Sequence, residues 1–343
     1  MTRHSLLLAV FLTDILTFLL IIGASATAFR IALHWDPQDT STRQLRLQAR
    51  SETAALATTW ALGLHFLATM ALVYAMTNIL PGMVPGAMCG TGVLQAMGGS
   101  GPRMLIYRLV GLAILWVWWR MEIVNQSLPE APLVPITARM VLLALPVFGL
   151  ALQASWQAAQ AMDFQQPVDC CAVVYDHFQT LRDARQTLGI NNRAWLTAFG
   201  ATTVAMSAAA WAARKAPSHR GLHLLLATLA VVWLPIAAIT LVRVFAAYHY
   251  GVLHHHCPWC LFLPEHHLIG FPIWTFWGLV AMEALAALVL SVLAARQPPP
   301  LEHHACDHIA KAARNTLIAV LLFSLLTVGP SVWWRLRFGL WLT

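Results

Sequence analysis

Residues 5 to 29 read SLLLAVFLTDILTFLLIIGASATAF, and Asp14 is the sole ionisable side chain in the run. About 20 predominantly apolar residues carry a helix across a bilayer, where every backbone N–H and C=O must be satisfied inside the segment. The run therefore predicts a membrane span. Working outward, comparable runs occupy residues 54 to 80, 104 to 120, 137 to 160, 194 to 213, 221 to 243, 271 to 295 and 314 to 334. Pro146 and Pro235 fall inside two of them, where neighbouring helices repair the missing hydrogen bond. Arg3 and the small residues Ala26, Thr27 and Ala28 imitate a secretory signal with its cleavage site. The apolar run exceeds the roughly 7 to 15 residues of such a signal, so it is read as a true span.

The composition agrees. Of 343 residues 59% are apolar and 10% are charged, with a mean hydropathy of +0.66, whereas roughly a quarter of a soluble domain is charged. A soluble enzyme on a single anchor is excluded. An outer-membrane barrel is excluded too, because its strands alternate apolar and polar residues over about ten positions. The expected fold class is all-α: a polytopic helical bundle of about eight transmembrane helices, forming one transmembrane domain over residues 1–343. Two long loops stand out, 161–193 and 244–271.

The net charge of +7 comes without a basic run interleaved with aromatics, so no nucleic-acid partner is expected. It serves orientation instead. The loops after the odd-numbered spans, with their flanks, hold twelve Lys and Arg; the opposite side holds nine, Arg108 among them. By the positive-inside rule the short basic loops face the cytoplasm, which places both termini outside, in a bacterial inner membrane surrounded by lipid.

That topology gathers Cys89, Cys170, Cys171, Cys257 and Cys260 on the extracytoplasmic side and leaves Cys306 inside. Disulfides form and persist in the outer compartment. The strongest motif is His254-His255-His256-Cys257-Pro258-Trp259-Cys260-Leu261-Phe262-Leu263-Pro264-Glu265-His266-His267. A CxxC sets two sulfurs close enough to close a disulfide, and a lowered thiol pKa makes the attacking sulfur reactive. The same spacing suits Cu or Zn, with His254, His255, His256, His266 and His267 offering imidazoles beside Cys257 and Cys260.

Cys257-Pro258-Trp259-Cys260 resembles the CPWC-type centre of bacterial vitamin K epoxide reductase homologues and, more distantly, of the DsbB class. The resemblance covers about a dozen residues. It implies a membrane thiol oxidoreductase that draws electrons from extracytoplasmic thiols and passes them to quinone, with Cys257 and Cys260 as the quinone-proximal pair and a loop pair as shuttle. The chain departs from that pattern in having about twice as many spans, and in interrupting the helix after the CxxC with Pro264.

Cys170 and Cys171 precede residues 173–189, where Val174, Phe178, Leu181 and Leu188 repeat at helical spacing and predict an amphipathic surface helix. At its start the two thiols suit the shuttle, a metal clip, or simple burial. Cys89 lies in a Gly- and Pro-rich loop with Met83, Met88 and Met97 nearby, which reads either as soft ligands for Cu(I) or as apolar filler. Asp14, His65 and Glu283 fall near the middles of spans, where ionisable groups mark proton or cofactor sites or pair structurally; His65 also invites comparison with a haem ligand. His303-His304-Ala305-Cys306-Asp307-His308 reads as a solvated loop with metal-binding potential. The leading expectation is a thiol–disulfide oxidoreductase using quinone and an extracytoplasmic thiol protein. Its alternatives are a protein that binds or hands over Cu or Zn with a metal-carrier partner, and a non-catalytic membrane subunit.

Overall fold

The computed structural model describes residues 4–36, 39, 41–127, 131–168, 186–252, 255–295 and 299–341. It is an all-α polytopic membrane protein, with eight helices among the described residues long and apolar enough to cross a bilayer. Every expected span corresponds to one of them. They are α1 (Ser5–His34), α2 (Thr42–Asn78), α4 (Ser100–Gln126), α5 (Val134–Ala161), α6 (Asn192–Lys215), α7 (Arg220–Thr240), α9 (Gly270–Ala294) and α10 (Pro299–Phe338). Among the described residues there are also two short α-helices, α3 (Gly90–Ala96) and α8 (Ala246–Tyr250). Large apolar side chains such as Leu19, Leu67, Val204, Val231 and Leu325 remain exposed on the spans, as a lipid-facing surface requires.

Most helices outrun their apolar stretch, because a charged or polar end continues the backbone ladder once it reaches water. α2 starts twelve residues ahead of its run: the Ser41 N–H and hydroxyl both donate to the Asp39 carboxylate, and the same hydroxyl accepts from the Gln44 N–H. α7 continues past Thr240 through a π-helical turn at Leu241–Phe245 into α8, and Gly251, with φ of 66°, stops it in the left-handed region. α10 begins at the proline run, where Pro299 and Pro300 occupy a first turn that needs no N–H. The segment around Cys306 is thus helical, which corrects the expected loop.

A second correction concerns the end of the expected amphipathic helix, residues 186–189; residues 173–185, which carry the rest of it, lie outside the described residues. Residues 186–191 form a hairpin, β1 (Gln186–Thr187) against β2 (Ile190–Asn191), in the antiparallel register Gln186↔Asn191 and Thr187↔Ile190. Leu188 and Gly189 turn it with φ of 55° and 75°, a two-residue loop that helical backbone cannot adopt. Asn191 then caps α6 through a hydrogen bond from the Ala194 N–H. Cys170 and Cys171 lie outside the described residues.

The chain divides into two compact units, each with four of the described spans. The first, residues 1–76 and 93–165, sets α5 against both α1 and α4, around Ile21, Ala61, Leu115, Ala144 and Phe148. The second, residues 77–92 and 166–343, closes a ring in which α6 touches α7 and α10, and α9 touches the same two. Its core is aromatic: Trp233 and Phe323 meet edge to face at 5.1 Å, and Phe199 packs against both.

Candidate functional site

The second unit brings three thiols together. Cys89, Cys257 and Cys260 are buried, 2% to 8% exposed, and their sulfurs lie within 4.8 Å of one another. Cys89 Sγ stands 3.3 Å from Cys257 Sγ, across 168 residues of sequence. Tyr250, Trp259 and Leu263 pack around them. None of the described cysteines is in a disulfide.

Local chain chemistry explains the arrangement. Pro258 opens a 3₁₀ turn, Pro258–Phe262, for which Cys257 is the N-cap. A second such turn follows at Pro264–His266, and His267 and Leu268 then take left-handed φ values of 58° and 55° before α9 begins. Pro264 therefore separates the CxxC from the spanning helix, as its ring demands. The Tyr250 hydroxyl donates to the Cys257 carbonyl, and Asn78 Nδ2 donates to the Phe262 carbonyl at 3.2 Å. The Cys89 loop is held equally firmly. The Val168 N–H donates to the Pro85 carbonyl at 3.0 Å, and Gly86, at φ of 77°, passes so close that a Cβ would sit 2.4 Å from the Val168 oxygen. At Gly90 a Cβ would lie 2.5 Å from the Trp259 ring. Only glycine lets Cys89 approach the CxxC turn.

Thiols this close share protons unequally. Cys257 receives hydrogen bonds from the Cys260 and Cys89 thiols, with the Thr91 hydroxyl 3.3 Å away and the Trp259 N–H adding a backbone donor, so its pKa falls well below the usual thiol range. Cys260 is driven the other way, because its proton is committed to Cys257 and burial penalises a second charge. The centre thus favours one thiolate, on Cys257. Burial also lowers the pKa of His255 and His266.

The histidines of the motif separate. His255 Nε2 lies 3.0 Å from Cys260 Sγ, while His256 Nδ1 lies 3.2 Å from the Val242 carbonyl. His266 packs against Tyr250 with ring centroids 4.7 Å apart and the planes tilted by 55°, and His267 is exposed at the left-handed turn. His254 lies outside the described residues. The expected ligand set of Cys257, Cys260 and several imidazoles is not assembled: among the described histidines of the motif, His255 is the one placed against a sulfur, and the third donor beside the CxxC is Cys89. Cys89 entered the sequence reading as one ambiguous loop cysteine, and no spacing linked it to residue 257. The methionines do not join it in the sulfur cluster, and Met88 is 68% exposed.

Of the mid-span residues, Asp14 and His65 belong to one network in the first unit. Arg108, 1% exposed, forms an ion pair with Asp14, and its Nη2 lies 3.4 Å from Ser155 Oγ. His65 Nε2 is 3.2 Å from the Arg108 carbonyl and its ring lies 4.6 Å from that of Phe148. The imidazole is a hydrogen-bonded core residue, the bland alternative to a ligand. The sequence places Arg108 with the flanking charges; its companion Asp14, near the middle of another span, is the available signal. Glu283 sits apart in the second unit, accepting from Asn315 Nδ2 at 3.1 Å. The first unit also holds a cavity of about 340 Å³, lined by Trp35, Glu52, Trp118, Glu122, Asn125 and Thr137 among others. No protein-family model matches the chain, and neither a curated protein nor a solved structure is similar to it.

Proposed function

We propose that the chain is a membrane thiol–disulfide oxidoreductase whose exchange centre is Cys89, Cys257 and Cys260, with an extracytoplasmic dithiol as electron donor and a quinone as acceptor. The observation that carries this reading is the 3.3 Å contact between Cys89 and Cys257 at a buried CxxC. Exchange needs a thiolate directed at a disulfide sulfur, and buried sulfurs exchange with whichever sulfur already touches them.

The reaction balances as follows. In the oxidised centre Cys257 and Cys260 share a disulfide. Cys89 gives up its proton as its sulfur attacks Cys257 Sγ; the new bond is Cys89–Cys257, the Cys257–Cys260 bond breaks, and Cys260 leaves with the electron pair and takes up that proton. A donor dithiol then attacks Cys89 and resolves to its own disulfide, which leaves the three cysteines reduced. Two electrons and two protons pass from the CxxC to quinone, giving quinol and the restored disulfide. The sequence offers Cys170 and Cys171 as a shuttle that would stand between the donor and Cys89; both lie outside the described residues. The resemblance of the CPWC segment to vitamin K epoxide reductase homologues supports the same chemistry. Orientation supports it as well: with Arg108 and Arg120 both buried in one helix, the outer side retains eight Lys and Arg against eleven, which favours outward termini and an inner-membrane location.

The test is quinone reduction by reconstituted full-length protein supplied with a reduced dithiol peptide. Quinol formation that disappears in Cys257→Ser is the expected result. Absence of thiol-dependent quinol formation by the native chain, or its persistence in Cys257→Ser, overturns the proposal.

A further inference from the structure

We infer that Cys89, Cys257 and Cys260, when all are reduced, form a three-sulfur binding site for one Cu(I) ion. The inference goes beyond thiol exchange and concerns a state in which no disulfide is present.

Three sulfurs within 4.8 Å of one another bound a space that one ion can fill. A metal–sulfur bond of about 2.3 Å places the sulfurs of a planar three-coordinate site about 4.0 Å apart, so the Cys89–Cys257 contact of 3.3 Å opens slightly on binding. The donor set selects the metal. Thiolates are soft ligands that favour Cu(I) and Zn²⁺ over harder ions, and structural Zn²⁺ is almost always four-coordinate. His255 Nε2 reaches Cys260 Sγ but is not part of the group in which every donor atom lies within 4.8 Å of every other. Cu(I) is satisfied by three sulfurs, and the apolar surround of Trp259, Leu263 and Tyr250 shields it from water and oxidants.

Around the donors stand groups that hold charged sulfur in place. Thr91 Oγ1 is 3.3 Å from Cys257 Sγ and His255 Nε2 is 3.0 Å from Cys260 Sγ. Both can donate to a metal-bound thiolate and offset the negative charge that one Cu⁺ leaves on three sulfurs. His255 is therefore a supporting residue, outside the ligand set.

The experiment titrates Cu(I), under a competing Cu(I) chelator, into detergent-solubilised full-length protein that is fully reduced and free of quinone. One tightly held Cu(I) per chain is expected, with an absorption-edge spectrum showing sulfur scatterers alone. Cys89→Ser, Cys257→Ser and Cys260→Ser each lower the affinity by more than about a hundredfold, His255→Ala by about tenfold, and Cys306→Ser leaves it unchanged. A measurement on the native chain guards against variants that fail to fold: Cu(I) protects Cys89, Cys257 and Cys260, and no other cysteine, from alkylation. Absence of stoichiometric Cu(I), unchanged affinity in Cys89→Ser, nitrogen in the metal's shell, or protection of a different set of cysteines each overturns the inference. Because no thiol donor or quinone is present, these outcomes are independent of whether the exchange reaction occurs.

Discussion

At the scale of single residues, the centre turns on the different duties of three sulfurs. Cys257 touches both of the others, so replacing Cys260 removes its resolving partner and leaves Cys89 as the sulfur in contact. Cys260→Ser is expected to accumulate a Cys89–Cys257 disulfide on mild oxidation, read as a cross-linked peptide pair by mass spectrometry without reductant; a Cys257 that stays reduced counts against the relay. Proton distribution gives a second expectation. An ordinary thiol with a pKa near 8.5 loses reactivity about tenfold for each pH unit below it, whereas Cys257 is held as thiolate by the Cys260 and Cys89 thiols. Its methylthiolation by a small uncharged reagent should therefore change less than about twofold between pH 8 and pH 6. A tenfold fall per unit would show that the thiolate is not held there. Cys257 and Cys260 were legible because a CxxC is local. Cys89 was not, since its meaning depends on a fold that closes a gap of 168 residues. The histidines misled for the opposite reason: adjacency in sequence looks like convergence, yet two successive 3₁₀ turns and a left-handed step send them in different directions.

At the scale of elements, the loops reach each other through glycine. Gly90 opens α3 beneath Trp259, and a methyl group there would collide with the indole ring base rather than a movable tip. Gly90→Ala is expected to cost about 1–3 kcal/mol, the usual range for overpacking, and to break the Cys89–Cys257 contact. The check combines thermal stability with loss of the cross-link expected in Cys260→Ser; an unchanged cross-link yield would show that Trp259 yields without moving the turn. The sequence marked this loop as irregular backbone but offered nothing to pair it with Trp259. Spanning helices were far more legible, because twenty apolar residues in a bilayer admit few alternatives. Their ends were less so. Apolarity stops at the membrane surface while a helix stops at a cap, as Asp39 and Ser41 show for α2 and Gly251 for α8. The residues 186–189 were misassigned because helical spacing of apolar positions was read through a Leu188-Gly189 turn whose φ values forbid it.

At the scale of the whole molecule, two four-span units divide the charged residues of the membrane interior between them. In the first, Arg108 and Asp14 share a buried ion pair whose Nε, Nη1 and Oδ1 atoms have no hydrogen-bond partner among the described residues. Arg108→Leu strands a carboxylate and should cost about 3–5 kcal/mol, while Asp14→Leu with Arg108→Leu should recover most of that loss; equal destabilisation in the single and double variants, measured by denaturant in detergent, would show that the pair contributes nothing. In the second unit, the proposed thiol exchange depends on which side of the membrane the sulfurs face, since a disulfide relay persists only outside a reducing cytoplasm. The hairpin turn at Leu188, 81% exposed, follows span four and so shares a side with the Cys89 and Cys257 loops, whereas Ser218 is exposed in the opposite loop between α6 and α7. With outward sulfurs, Leu188→Cys is expected to react with a membrane-impermeant maleimide on intact cells, and Ser218→Cys only after the membrane is opened. Reaction of Ser218→Cys alone on intact cells would place the three thiols in the cytoplasm, where glutathione keeps them reduced. Quinone-linked thiol oxidation would then be untenable for this chain, while the Cu(I) site, which requires reduced sulfurs, would stand.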